Sequence, residues 1–183
     1  MTSKTLAISL FAMLIFGGLR AEASLDYFIK FDGLNGESQD VTYTNQCDVL
    51  SWSWGMTNSG TMHDGSGGGA GKVSVRDLSL IKYVDKASPV LMLYACDGRH
   101  FATVTLTVRL NGGTQPVILK ITMTEVIVTS VSTGGAGGEI RMTENILLNF
   151  AEVRVEYQPL KQDGTPDGGP IPFGWDIAKN VKL

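Results

Sequence analysis

The stretch SPVLMLYACDGRH, residues 88–100, is the segment whose pattern most clearly predicts a helix. Ser88 is a residue type that caps helix N-termini, Pro89 suits the first helical position, and Gly98 suits a left-handed residue at the C-terminal end. The residues between Pro89 and Asp97 are all apolar. A surface helix normally keeps a polar face, so we expect this helix to be buried on all sides. A single β domain cannot cover both faces of a peripheral helix. The sequence therefore predicts that a neighbouring subunit covers the second face.

Alternating apolar and polar residues fill most of the chain after residue 24, which indicates strands with one wet face. The clearest run is 102–110, where three threonines and Arg109 alternate with apolar residues. Glycine-rich turns separate the runs, so we expect about eight strands and one helix, a pattern typical of a closed barrel or sandwich. The runs that the pattern delimits most clearly are 25–31, 50–56, 73–83, 102–110, 117–131, 146–157 and 171–177.

The composition limits the classes of function. A chain of 183 residues is long enough for one domain with a real core. Its net charge of -3 gives no reason to expect a nucleic-acid partner. The two cysteines, Cys47 and Cys96, form neither a disulfide framework nor a metal cluster. We expect Cys96 to be a free thiol in a buried helix, and a Cys47–Cys96 disulfide stays open as the less favoured alternative.

Residues 1–23 have the three parts of a secretory signal peptide. Lys4 is the positive start, residues 6–19 are the apolar run, and residues 21–23 (AEA) are an A-x-A cleavage site. The run falls short of the ~20 residues that a membrane span needs, so we expect no stable membrane association. The sequence thus predicts a cleaved leader, a single domain over 24–183 and a secreted protein. The alternative is an apolar extension from a misassigned start codon.

Two tryptophans, Trp52 and Trp54, share one face of the expected strand 50–56. Such a pair serves either as an aromatic platform for a ligand or, more commonly, as a core or interface anchor. Five glycines fall within residues 65–71 of the segment that follows. Lys72 is followed by Val73, so this segment lacks the G-x-x-x-x-G-K-[ST] spacing of a phosphate-binding loop. We expect it to contact a partner surface, with Met62 and His63 as its anchors.

Catalytic motifs are scarce. The histidines are His63 and His100, and no G-x-S-x-G or C-x-x-C motif accompanies them. A Cys96–His100 pair alone is too small to be a metal site. Paired carboxylates for glycoside hydrolysis stay open, because they need only spatial proximity. The sequence therefore predicts a protein with no catalytic, cofactor-binding or metal site.

Six long strings occur in order between residues 49 and 180: VLSWSWGM (49–56), SGTMHDGSGGGAGKV (59–73), LSLIKYVDKASPVLMLYACDG (78–98), TSVSTGGAGGE (129–139), TENILLNFAEVRVEY (143–157) and FGWDIAKN (173–180). Through these strings the sequence closely resembles the Hcp family, the tube-forming proteins of bacterial type VI secretion systems.

The resemblance implies a β-barrel with one flanking helix, related to phage tail-tube proteins. In that family a hexameric ring stacks on further rings into a tube, and a contractile sheath drives the tube and a VgrG-type spike out of the cell. Members are also secreted, and some hold effector proteins in the ring lumen. The family has no cofactor and no active site to transfer. We expect the assembly interface of this chain to include Trp52, Trp54, Met62, His63, Leu91, Leu93 and Tyr94.

The leader is the one departure from the family pattern. Members usually begin close to the strand at residues 26–33 with no leader, and their tube assembles in the cytoplasm. A cleaved leader instead favours an exported ring that binds a protein or glycan in the periplasm or outside the cell. If the leader is not used, assembly in the cytoplasm is expected.

Overall fold

The computed structural model describes residues 24–60 and 72–183, and these residues form eleven strands and one α-helix. The expectation of a mainly β fold with a flanking helix is confirmed. The predicted leader, Met62 and His63 lie outside the described residues. The elements in chain order are β1 (Leu25–Phe31), β2 (Cys47–Ser53), β3 (Met56–Asn58), β4 (Val73–Val75), β5 (Leu78–Tyr83), α1 (Ser88–Asp97), β6 (His100–Leu110), β7 (Val117–Gly134), β8 (Thr143–Asn149), β9 (Glu152–Tyr157), β10 (Ile171–Asp176) and β11 (Val181–Lys182).

Six of the strands close into an antiparallel barrel. The ladder runs β7-β6-β1-β2-β5-β8, and β8 pairs back onto β7. Strands β9, β10 and β11 continue the sheet beyond β7, and we call these three strands the wing. Strands β3 and β4 form a separate two-stranded sheet. Closure pairs most of each barrel strand on both sides, which is how a β protein limits exposed edges.

Strand β7 belongs to both the barrel and the wing, and this corrects one prediction. Its first half pairs with β9 through Leu119–Thr124, and its second half pairs with β8 through Ile127–Gly134. Glu125, with φ of 50°, lies where the partner changes. The predicted single strand 146–157 is therefore wrong, because its two halves pair with different halves of β7. The expected strands 50–56 and 73–83 are likewise each divided in two. The first is split between β2 and β3 and the second between β4 and β5, because β3 and β4 pair with each other in a sheet of their own.

Apolar side chains from all six barrel strands fill the barrel interior. Each fully buried side chain contributes about 1.5–3 kcal/mol relative to its exposed state. The alternation predicted for β6 and β7 is confirmed at 104–108 and 121–123, whereas Ala102 and Val117, predicted to face inward, are exposed. Representative buried residues are Ile29, Val49, Leu80, Leu106, Ile121 and Ile146.

The outer face of β1 and β6 is not wet throughout, contrary to the alternation. Phe28, Thr107 and Arg109 lie on that face and are buried. The reason is the long connection between β1 and β2, which folds back over the barrel. Tyr43 in this connection stacks on Phe28 with ring centroids 4.4 Å apart. Asp40, three residues earlier, accepts a 2.6 Å hydrogen bond from Arg109.

Candidate assembly interface

Helix α1 lies with one face against β7 and the other face bare. Leu91 joins the core, whereas Met92 is 39% and Leu93 48% exposed. Tyr94 is half-buried and stacks on Phe101 with a centroid distance of 4.6 Å. The helix is therefore not buried on all sides within one chain. One face of the helix is exposed and has no row of polar residues. That a neighbouring subunit covers this face stays a prediction.

The ends of α1 test the predicted capping residues. Gly98 takes the left-handed conformation at φ of 71° and donates its backbone N–H to the Tyr94 carbonyl, as predicted. The predicted N-cap is wrong: Ala87 occupies that position, and no side chain caps it. The Ser88 hydroxyl instead donates a 2.7 Å hydrogen bond to Glu144 of β8, which lies 56 residues away in the chain.

The two tryptophans are half-buried and pack against the core. A bulge after Val49 shifts the register of β2, so that Trp52 pairs with the inward-facing Leu80. The Trp54 indole N–H donates a 3.0 Å hydrogen bond to the Arg76 carbonyl. These contacts are those of half-buried core anchors, and the role of both residues in assembly stays a prediction.

Two strand edges of the barrel are open, a feature that the sequence analysis missed. Residues 128–134 of β7 pair with β8 on one side, and among the described residues no strand pairs with their other side. Residues 51–53 of β2 pair with β5 and, within the same described part, lack a second strand partner. These are the two outer edges of the four-stranded sheet β2-β5-β8-β7. The unusual length of β7 was the available signal, because its residues 128–134 extend beyond the end of β6.

The comparisons with known proteins agree with this architecture. The family described as "Type VI secretion system effector, Hcp" matches residues 28–157. The chain belongs to the Hcp family. Protein hcp1 of Pseudomonas aeruginosa is 55% identical over 160 residues, which cover 87% of this chain and 99% of that protein. As an Hcp protein the chain is a secreted, structural protein of a type VI secretion tube.

Solved structures of type VI secretion proteins share both fold and sequence with this chain. "Structure of a type six secretion system protein" gives a TM-score of 0.83 at 33% identity, covering 87% of this chain and 100% of that one. Hcp1 from Salmonella typhimurium gives 0.72 at 38% identity, covering 87% and 99%. A type VI secretion system effector from Yersinia pestis gives 0.67 at 32% identity, covering 83% and 100%.

The cysteines of this Hcp chain are free thiols in different surroundings. Cys47 is buried in the barrel, where burial raises the pKa of its thiol far above the ordinary range. Cys96 is exposed on α1, so the expectation that its helix buries it is wrong for a single chain. A neutral, buried thiol is a poor nucleophile, which makes Cys47 an inert core residue.

Reactive groups in the described part of this Hcp chain are dispersed. His100 lies 3.4 Å from Glu125 at the surface. Over residues 24–60 and 72–183, no three His, Cys, Asp or Glu side chains come close enough to share a metal ion. None of the helical residues that the structure describes forms a segment long and apolar enough to cross a membrane.

Proposed function

We propose that this Hcp chain closes into a hexameric ring, that rings stack end to end into the inner tube of a type VI secretion system, and that it has no catalytic activity. The observation that carries ring formation is the bare apolar face of α1, with Leu93 48% exposed. An uncovered helix face without a polar stripe is stabilised by burial against a partner. The partner in the proposed ring is a second copy.

The open strand edges support closure of the ring by sheet pairing. Residues 128–134 of β7 and 51–53 of β2 run antiparallel at opposite edges of one sheet, so the first edge of one copy suits the second edge of the next. Such a contact is heterologous, and heterologous contacts close into rings when the rotation permits.

The free edge of the wing is less suited to pairing. Gly174 accepts a hydrogen bond from Leu183 at the outer edge of β10, so Pro172, two residues earlier, faces the same edge. Proline has no N–H to donate and blunts an edge strand.

The wider assembly follows from the family. A VgrG-type spike, a contractile sheath and effector proteins in the lumen are proposed partners, on the strength of membership alone. A second function, an exported ring that binds a protein or glycan, rests on the three-part leader at residues 1–23. The gene neighbourhood separates the two: sheath and spike genes alongside favour the tube.

The test of ring formation is native mass spectrometry of the mature chain at micromolar concentration. We expect hexamers from the wild type and mainly monomers from Leu93→Asp, because a carboxylate in the interface is desolvated without a partner. Val181→Asp, at a site on the wing that is also 48% exposed, is the matched control and should leave hexamers intact. A monomeric wild type, or hexamers of Leu93→Asp as stable as those of the wild type, contradicts the proposal.

The leader is tested separately in the native host. We propose cleavage after Ala23, so that the mature protein begins at Ser24. Intact-mass analysis of the secreted pool should find a chain that starts at Ser24. An Ala23→Asp variant should retain the leader, because signal cleavage needs a small residue there. A secreted pool that still carries residues 1–23 would refute cleavage without affecting the ring.

A further inference from the structure

A buried ionic cluster joins the start of α1 to the barrel. Lys82 of β5 and Glu144 of β8 are both fully buried, and their side chains form a 2.8 Å salt bridge. Lys82 also reaches Asp85 at 2.6 Å. The Ser88 hydroxyl donates to the same Glu144 oxygen at 2.7 Å and accepts the Asp85 backbone N–H at 3.0 Å. Ser88 is thus the residue of α1 whose side chain enters the cluster.

The charges of this cluster are incompletely balanced. One ammonium faces two carboxylates, and the second oxygen of Glu144 is buried without a hydrogen-bond partner among the described residues. Burial works against a charged Lys82, but its hydrogen bonds to Asp85 and Glu144 outweigh this effect and raise its pKa. Buried ion pairs often add little net stability compared with apolar residues of similar volume, because desolvation offsets the attraction. The cluster is therefore better explained by the orientation that it gives to the elements it joins than by added stability.

The element that this cluster orients is helix α1, relative to the barrel. Apart from Ser88, the fully buried side chain of the helix is Leu91. Leu91 and the Tyr94 ring on Phe101 are apolar contacts, and such contacts alone let a helix rotate and shift along a sheet, because dispersion has little directionality. The hydroxyl of Ser88 adds a directional anchor one turn before Leu91, and that anchor is fixed by β5 and β8 together.

We propose that Ser88 is a positioning residue for assembly: its hydrogen bond to Glu144 sets the orientation in which α1 presents Met92 and Leu93 to the neighbouring copy. This inference rests on the proposed ring function. Ser88 itself is buried within its own chain and touches no partner in this proposal.

The test separates assembly from folding with Ser88→Ala, which leaves all three charged groups of the cluster in place. Dilution of hexamers, followed by mass photometry, gives the concentration at half-dissociation. Urea unfolding of the dissociated protomer gives its stability. We expect Ser88→Ala to raise the half-dissociation concentration at least tenfold, with only a small fall in the urea midpoint of the protomer from the lost hydrogen bond. Ser88→Thr, which keeps the hydroxyl, should restore tight rings, and Ser74→Ala, at an exposed serine of β4, should change neither quantity.

Each other outcome overturns the inference. A ring as tight as the wild type shows that Ser88 does not position α1, and a urea midpoint that falls in parallel with ring affinity shows a role in folding alone. If Ser88→Ala does not fold, Ser88→Cys keeps all three charged groups and replaces the hydroxyl by a weak donor, and it must meet the same expectation. A wild type that never forms hexamers refutes the proposed function, whereas hexamers unaffected by these variants refute the positioning role alone.

Discussion

Arg109 holds the connection between β1 and β2 by two kinds of contact, hydrogen bonds to carboxylates and stacking on aromatic rings. Its guanidinium bonds both oxygens of Asp40 and one oxygen of Asp26, at 2.6–3.1 Å. It also lies over the Phe28 ring at 5.0 Å and the Tyr43 ring at 5.3 Å. Forked pairing with a carboxylate and stacking on a ring both require the planar guanidinium, so lysine is not equivalent here.

The contact of Arg109 with Asp40 predicts how the stability of the fold depends on pH. The hydrogen bond from Arg109 is the main cause that holds the pKa of Asp40 below its ordinary value of 3.8. The folded chain therefore binds the proton of the Asp40 carboxyl more weakly than the unfolded chain does. The Arg109–Asp40 contact stabilises the fold fully at pH values above the ordinary pKa of Asp40. This stabilisation is lost as the pH falls through the lower pKa of the folded state. We expect Asp40→Asn to lower the free energy of unfolding by about 1 kcal/mol at pH 7, because it weakens a charge-assisted hydrogen bond, and by progressively less below pH 4.

Urea unfolding at a series of pH values measures this difference. Asp48→Asn is the matched control, since Asp48 lies near the same outer face but outside the hydrogen bonds of Arg109. A difference between Asp40→Asn and the wild type that stays constant from pH 7 to pH 2.5 would exclude the assigned role.

At the scale of elements, helix α1 shows what local pattern can and cannot establish. Its position, its proline start and its glycine end all depend on neighbouring residues and were predicted. The role of Ser88 was not, because its acceptor Glu144 lies 56 residues away and only the β5–β8 pairing brings it close. For the same reason the alternation in β6 could not reveal that Arg109 is buried, since the covering loop comes from another part of the chain.

The β1–β2 connection depends on a close backbone approach at Gly36. A Cβ atom there would lie against the Gln46 carbonyl oxygen and 2.6 Å from the Cys47 sulfur. The Gly36 N–H already donates a 2.7 Å hydrogen bond to the Asn45 carbonyl, so the two segments have little freedom to separate. We expect Gly36→Ala to lower the free energy of unfolding by about 1–3 kcal/mol, the usual cost of overpacking.

Thermal and urea unfolding check this value. Gly55→Ala serves as control, because a Cβ atom at Gly55 meets nothing within 4 Å. That substitution should be neutral or stabilising by less than about 1 kcal/mol, through a smaller entropy of the unfolded chain. Equal midpoints for the two alanine variants would show that the connection adjusts freely.

At the scale of the whole molecule, the sequence indicated a closed barrel or a sandwich but not which strands close it. Closure depends on the pairing of β8 with the second half of β7, and a periodicity of two does not specify which strands are neighbours. The division between barrel and wing follows from the same pairing. The candidate interface was predicted in part: the bare face of α1 follows from local composition, whereas the open edges of β7 and β2 follow only from topology.

The glycine-rich segment provides the last prediction, which concerns the stacking of rings. Strands β3 and β4 pair from Met56 with Val75 to Asn58 with Val73, so their sheet is complete before residues 61–71 begin. This sheet is separate from the barrel. Replacing residues 61–71 with a short turn should therefore preserve strand content and ring mass. We expect loss of end-to-end stacking, because Met62 and His63, the predicted anchors, are removed.

Circular dichroism, native mass spectrometry and electron microscopy together test this expectation. A second variant keeps the length of residues 61–71 but replaces Met62 and His63 with glycine and serine, which separates the effect of the anchors from that of loop length. If the anchors act as predicted, both variants form rings that fail to stack. Tubes of normal length from the shortened chain would show that stacking depends on other residues, and loss of strand signal would show that the segment contributes to folding.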